Sequence, residues 1–281
     1  MGARLFLRLD ESWISAAKAY CYQHPLETLE ISYYLMNRAN LAAGRDKRNG
    51  RLYGYIVDNQ LAALLLFNDK GVLYISNQDA GLFERVDFLK AIRRENPTLV
   101  RGTKQQVERV FYLLQRALKQ FKFVPTLLMA APHHLTNEPL SAIVEAGDID
   151  WQRHAPFLVK VEKQFRNRPL IMNNLRNRLN GNSALNLDFY SIYHSDNVPL
   201  GQVVGEFSTW QYGLIGGLYV LPNHRNKALG SILLKHAVAR YQTHNLQSLL
   251  YVVADNSDAI ALYQKLGFTT VLQTLDLTIV L

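Results

Sequence analysis

The sequence predicts an α/β (α+β) protein of two domains, each a mixed central sheet flanked by helices. Three observations carry that expectation. The chain has 281 residues, about twice the ~150 of an ordinary domain. Strand-length apolar runs alternate with helix-length amphipathic ones through both halves. Short stretches also recur: Leu73-Tyr74-Ile75 returns as Leu218-Tyr219-Val220 and Leu89-Lys90 as Leu234-Lys235, both 145 positions on. Asp58-Asn59 likewise returns as Asp196-Asn197, at a slightly different offset. Gene duplication is one source of such matches, and shared α/β grammar is the other.

In the first half, Glu11–Tyr22 and Leu26–Leu41 read as helices, the first with Ser12 as a candidate N-cap. A basic loop, Arg45–Arg51, precedes strands Leu52–Val57 and Leu61–Phe67, which flank an Asp58-Asn59-Gln60 turn. A strand at Val72–Ser76 and a helix at Leu82–Arg94 follow. Thr98–Arg101, Lys104–Phe121 and Val124–Ala130 complete a strand–helix–strand unit. Residues 132–150, rich in breakers such as Pro132, Pro139 and Gly147, mark the boundary, giving domains 1–135 and 136–281. In the second half Trp151–Phe165 and Leu170–Leu179 read as helices, and Leu187–His194, Val198–Phe207 and Gly213–Val220 as strands. A helix from Leu229 to Tyr241, a strand at Leu249–Ala254, a helix at Asp258–Leu266 and a strand at Thr270–Val280 end the chain.

Composition sets the outer limits. A hydrophobic share of 48% with 19% charged residues suits a packed core and excludes a disordered chain. Thirty-one Lys and Arg against twenty-three Asp and Glu leave a net charge of +8, which favours anionic partners and says nothing about fold. A single cysteine, Cys21, excludes an intrachain disulfide and a Cys-rich zinc site and points to a reducing compartment. No run approaches the ~20 apolar residues of a membrane helix. The first ten residues lack the apolar core of a secretory signal. A cytoplasmic protein without a membrane partner is the expectation.

The chemistry concentrates late in the chain. After the strand ending at Val220 come a Pro222-Asn223 turn, the loop His224-Arg225-Asn226-Lys227-Ala228 and the helix opening at Leu229-Gly230. A loop entering a helix presents unpaired N–H groups and the positive end of the helix dipole, and so suits phosphate. Arg225 and Lys227 add full charges, and Gly230 permits a close approach. One strand downstream lies Asn256-Ser257-Asp258-Ala259-Ile260-Ala261-Leu262-Tyr263-Gln264-Lys265-Leu266-Gly267-Phe268.

These two blocks together resemble the GNAT superfamily of acyl-CoA-dependent N-acyltransferases. Arg225 and Gly230 match the family's phosphate-loop pattern Q/R-x-x-G-x-G/A, with Ala228 in place of the middle glycine. The second block follows N-x-x-A-x-x-L-Y-x-x-L-G-F throughout. The resemblance covers about residues 187–281 in detail. It implies acetyl-CoA as acyl donor, no metal, and a primary amine, small molecule or peptide, as acceptor. It further implies that Leu218, Tyr219 and Val220 meet the pantetheine arm and the acyl carbonyl. The amides of Arg225, Asn226, Lys227, Ala228, Leu229, Gly230 and Ser231 would cradle the pyrophosphate, and Asn256 would contact the cofactor. Gly216 and Gly217 suit a bulge that splays this strand from its neighbour.

In direct transfer the amine attacks the thioester carbonyl, N–H groups near Leu218 and Tyr219 stabilise the oxygen, and Tyr263 protonates the leaving thiolate. Glu206 is the first choice of base, with Glu162, Asp255 and His194 behind it. By the repeat, Arg225, Leu229 and Gly230 correspond to Ala80, Glu84 and Arg85. The first half then lacks the phosphate-binding set and is expected to be a degenerate copy that walls the acceptor site or mediates homodimerisation. Two other readings stay open: a cofactor-binding regulator without catalysis, and nucleic-acid binding through the basic first half (Arg93-Arg94, Arg101, Lys104 and Arg116 to Lys122).

Overall fold

The computed structural model describes residues 3–42, 50–133, 135, 142–145, 154–164 and 188–280. The first half runs β1 (Arg4–Arg8), α1 (Ile14–Gln23), α2 (Leu29–Ala42), β2 (Gly50–Val57), β3 (Gln60–Asn68), β4 (Val72–Asn77), α3 (Val86–Glu95), β5 (Leu99–Thr103), α4 (Lys104–Leu114) and β6 (Gln120–Ala130). The second runs β7 (Ile143–Glu145), α5 (Ala155–Gln164), β8 (Phe189–Ser195), β9 (Val198–Ser208), β10 (Tyr212–Val220), α6 (Leu229–Gln242), β11 (Gln247–Val253), α7 (Ser257–Lys265) and β12 (Thr269–Val280).

These elements form two compact units. One is Met1–Leu128 with Val252–Ser257 and Thr270–Leu281; the other is Met129–Tyr251 with Asp258–Thr269. In the first unit the strand order is β1-β2-β3-β4-β5-β12-β6. The last strand of the chain thus sits inside this sheet, antiparallel to β5 from Leu99↔Thr278 to Thr103↔Thr274. Its alternation explains why: Leu275, Leu277 and Ile279 enter the core, while Thr278 and Val280 point outward. Arg101 of β5 holds Asp276 through two bonds of 2.7 and 2.5 Å. Helices α3 and α4 cover the sheet with Phe88, Ala91 and Ile92, and with Val107, Val110 and Leu114, at helical spacing.

The second unit has the order β11-β10-β9-β8-β7. Helix α5 packs Phe157, Leu158 and Val161 onto Tyr190, Ile192, Val204 and Tyr219. Among the described residues the two halves follow a similar series of elements, with one helix before β8 against two before β2, down to the hairpin turn. Asp58 and Asn59 have φ of 51° and 64°, and Asp196 and Asn197 have 49° and 62°, the left-handed pair a two-residue I′ turn demands.

Three differences from the sequence reading have physical causes. Strand β1 was not anticipated; five residues carry little periodicity, and its pairing with β2 creates it. The helix predicted to run to Phe121 stops at Leu114. Phe111 packs on Phe121 at 4.8 Å and on Phe123 at 5.1 Å, so ring packing and sheet pairing override helix propensity. Strand β7 lies inside the stretch read as a boundary, where it pairs with β8. The predicted helix Leu170–Leu179 and most of the basic loop Arg45–Arg51 fall outside the described residues.

Candidate active site

Two irregularities sit side by side on β9 and β10. Leu214 faces Phe207 and Ile215 faces Gly205, so Glu206 is an extra residue on β9. Gly216 faces Val204 and Tyr219 faces Gln202, so β10 carries one residue more than β9 across Gly217-Leu218. Such bulges re-aim side chains and interrupt pairing. Here the first brings the Glu206 carboxylate over Gly216: a Cβ at position 216 would overlap it. Gly217 has φ of 59°, a region open to glycine at no steric cost.

The sequence reading overlooked the group that secures the second bulge. Gln202 is fully buried. Its Nε2 donates to the Gly217 carbonyl at 3.0 Å, and its Oε1 accepts from the Tyr190 hydroxyl. A glutamine inside a strand gives no sequence signal of this role, because its partners come from two other strands.

Beyond the bulge β10 parts from its parallel neighbour. Its pairing with β11 runs from Tyr212↔Gln247 to Ile215↔Leu250, so Gly216–Val220 continue past the end of the ladder. In the first unit the β4–β5 pairing runs from Val72↔Leu99 to Tyr74↔Arg101, and Ile75–Asn77 likewise continue past its end.

At the end of β10 the chain makes a turn of 3-10 helix, Pro222–His224, before the loop. Arg225 donates from Nε to the Val220 carbonyl at 3.2 Å, fastening the loop to the strand. Asn226 and Ala228 have φ of 61° and 60°. Ala228 caps α6 in the left-handed region, and the first helical bond runs from the Ile232 N–H to its carbonyl at 3.0 Å. The N–H groups of Leu229, Gly230 and Ser231 therefore stand in the turn that has no acceptor within its own helix. The residues from Arg225 to Ala228 are exposed. Gly230 has a second use: a Cβ there would lie 3.1 Å from Leu262 Cδ2 of α7.

Tyr263 follows Leu262 on α7. It is buried, its ring 5.9 Å from that of Phe268. The helix ends in the Leu266-Gly267-Phe268 turn, with Gly267 at φ 83° and the Phe268 N–H bonded to the Tyr263 carbonyl at 3.0 Å.

A groove of about 610 Å³ opens along the end of β10. Tyr219, Leu221, Pro222, Asn223 and His224 line one side; Lys160, Lys163 and Gln164 of α5 line the other. The two lysines, three positions apart, share a helix face. The sequence reading named neither.

The structure thus groups Glu206, the strand Leu218–Val220, the loop Arg225–Ser231 and Tyr263 within one unit, whereas Asn256 and Asp255 belong to the other. The His194 ring packs at a tilt against that of His154, with centroids 4.7 Å apart. The Glu162 side chain lies outside the described residues. Among the described residues no group of three or more His, Cys, Asp or Glu side chains could hold a metal ion, and no helix is long and apolar enough to cross a membrane.

The profile of the acetyltransferase (GNAT) family matches residues 151–268. No curated protein matches the chain. Among solved structures, a Drosophila protein superposes with a TM-score of 0.71 at 13% identity, over 99% of both chains. A GCN5-related N-acetyltransferase from Sphaerobacter thermophilus gives 0.59 at 14% identity, over 98% of this chain and 95% of that one. A tandem GNAT protein from the clavulanic acid biosynthesis pathway gives 0.55 at 11% identity, over 99% and 98%. At such identities these likenesses speak to fold, and they extend it over both halves. The match to the acetyltransferase (GNAT) family thus covers residues 151–268 of the site-bearing half, and over both halves the chain has a fold similar to that of two GNAT-like domains.

Proposed function

We propose that the second half is an N-acyltransferase that uses acetyl-CoA to acylate a primary amine, and that the first half is a degenerate copy. The observation that carries this is the end of β10–β11 pairing at Ile215↔Leu250, followed on the same strand by the Gly217 bulge and a cationic helix N-terminus. A strand that leaves its ladder frees backbone groups for a pantetheine arm. The helix end with Arg225 and Lys227 suits the pyrophosphate. Asn256 is kept as a cofactor contact on the family motif alone.

In this reading the Leu218 N–H group stabilises charge on the acyl oxygen. Glu206, raised over the bulge, draws a proton from the attacking amine directly or through water, and Tyr263 supplies one to the leaving thiolate. Lys160, Lys163 and His224 line the groove, with no carboxylate among the described lining residues. That lining disfavours a polycationic acceptor and suits an amine carrying negative charge.

The first unit supports the degenerate reading. At the end of its β4–β5 ladder Arg101 is tied to Asp276 and, at 3.6 Å, to Glu30. The loop after β4 is satisfied by its own side chains: the Gly81 N–H donates to Asp79 Oδ1 at 2.7 Å and the Asp79 N–H to Asn77 Oδ1 at 3.2 Å. Glu27 accepts from Ser76 at 3.0 Å and from Gln78 at 3.3 Å at the end of β4, a carboxylate where phosphate would need a cation.

Calorimetric titration with acetyl-CoA tests both statements, with one site per chain expected. Arg225→Glu is a cleaner control than a bulky residue at Gly230, which would also displace Leu262. Two sites per chain would end the degenerate-copy reading, and no binding would end the enzyme reading. Acceptors are then screened by release of the CoA thiol. Cys21 will not interfere, since burial pushes its thiol up to about 11.

A further inference from the structure

We infer that Gln202, held by Tyr190, is a positioning residue that aims the Leu218 N–H at the acyl carbonyl; the inference rests on the acyltransferase reading above. Gln202 is fully buried on the face that α5 covers with Phe157, Leu158 and Val161. A carboxamide taken into such surroundings costs free energy unless both its ends are bonded. Both are, and neither partner lies on its own strand: the oxygen accepts from the Tyr190 hydroxyl and the nitrogen donates to the Gly217 carbonyl at 3.0 Å. An apolar residue would fill the space without that requirement.

The Gly217 carbonyl explains what the amide does there. Across the bulge β9 has one residue fewer than β10, so the regular ladder cannot serve every backbone group of Gly217-Leu218. Among the described residues no peptide bond is cis, and in a trans peptide the C=O and the following N–H point in opposite directions. Holding the Gly217 carbonyl to Gln202 therefore turns the Leu218 N–H away from β9, toward the side on which pairing with β11 has already ended. That donor stays fixed before any ligand arrives, which is the condition for stabilising charge that develops only in the transition state. Tyr190 completes the device by fixing which end of the carboxamide carries the donor.

The test compares acetyl-CoA with CoA, which shares every contact except the acyl group. Gln202→Met keeps the volume and removes both bonds; Tyr190→Phe keeps Gln202 and removes one. Positioning predicts that Gln202→Met retains CoA affinity within about twofold, loses its relative preference for acetyl-CoA, and lowers kcat roughly tenfold or more. Tyr190→Phe should move the same way by less, and it serves if Gln202→Met does not fold. Equal losses on both ligands, or an unchanged kcat in folded variants, would overturn the positioning role and leave the acyltransferase standing. A wild-type chain that binds neither ligand would overturn both.

Discussion

Ala228 occupies the position where the phosphate-loop pattern has glycine, and its backbone gives the reason for that glycine. With φ of 60° and ψ of 0° it holds a left-handed conformation at the cap of α6, which costs a non-glycine residue about 1–2 kcal/mol. The side chain is exposed, so no packing offsets the strain. Ala228→Gly should therefore raise the melting temperature by about 2–4 °C and leave acetyl-CoA binding intact. A lower melting temperature in thermal unfolding would contradict the strain. Tyr263 is the complementary case. Removing its hydroxyl leaves the ring in place against Phe268, so Tyr263→Phe should keep acetyl-CoA affinity nearly unchanged and lower kcat about 100- to 10,000-fold, the range of a lost general acid. Parallel loss of binding and turnover would assign the residue to packing.

At the scale of elements, α6 is fastened at both ends of its role. Its first turn faces the loop, and further along His236 and Arg240 reach Glu145 of β7, at 2.8 and 3.5 Å. Ser191 of β8 donates to the same carboxylate at 3.0 Å. Burial alone would raise the Glu145 carboxyl, but the His236 and Ser191 hydrogen bonds and the Arg240 charge outweigh it and hold it below the usual carboxylate range. A lowered folded-state value means that the stabilisation is present above the ordinary carboxylate pKa and disappears as pH falls through the lowered one. Glu145→Gln should thus lower stability near neutrality, where that stabilisation is present, and flatten the acid limb of the stability–pH curve. Denaturant unfolding at a series of pH values measures this, and an unaltered acid limb would remove Glu145 from the account.

For the whole molecule, the placement of β12 makes the two ends of the sequence interdependent. Leu275, Leu277 and Ile279 are buried in the first unit, and each contributes about 1.5–3 kcal/mol. Together with the Arg101–Asp276 pair, that is comparable to the whole stability of a domain, about 5–15 kcal/mol. A chain ending before Thr270 should leave the first unit unfolded, with amide exchange in β4 and β5 losing its protection. Retained protection there would show that the first unit closes without its last strand.

Much of this architecture is legible in the residues. Period-2 and period-3.6 patterns mark most strands and helices, the two Asp-Asn pairs mark both hairpins, and the order of loop and Asn256–Phe268 block marks the site-bearing half. Those features are local: backbone propensity, capping and turn chemistry act over a few residues, so a linear string records them. The sheet into which β12 is drawn, the end of the β10–β11 ladder, the Glu206 bulge and the Gln202 clamp depend on partners tens to hundreds of positions away. Nothing near Gln202 marks it as different from any other strand glutamine. Its role exists only once Tyr190 and Gly217 are brought beside it, because hydrogen bonding and burial are set by distance in space and leave no periodicity in the chain.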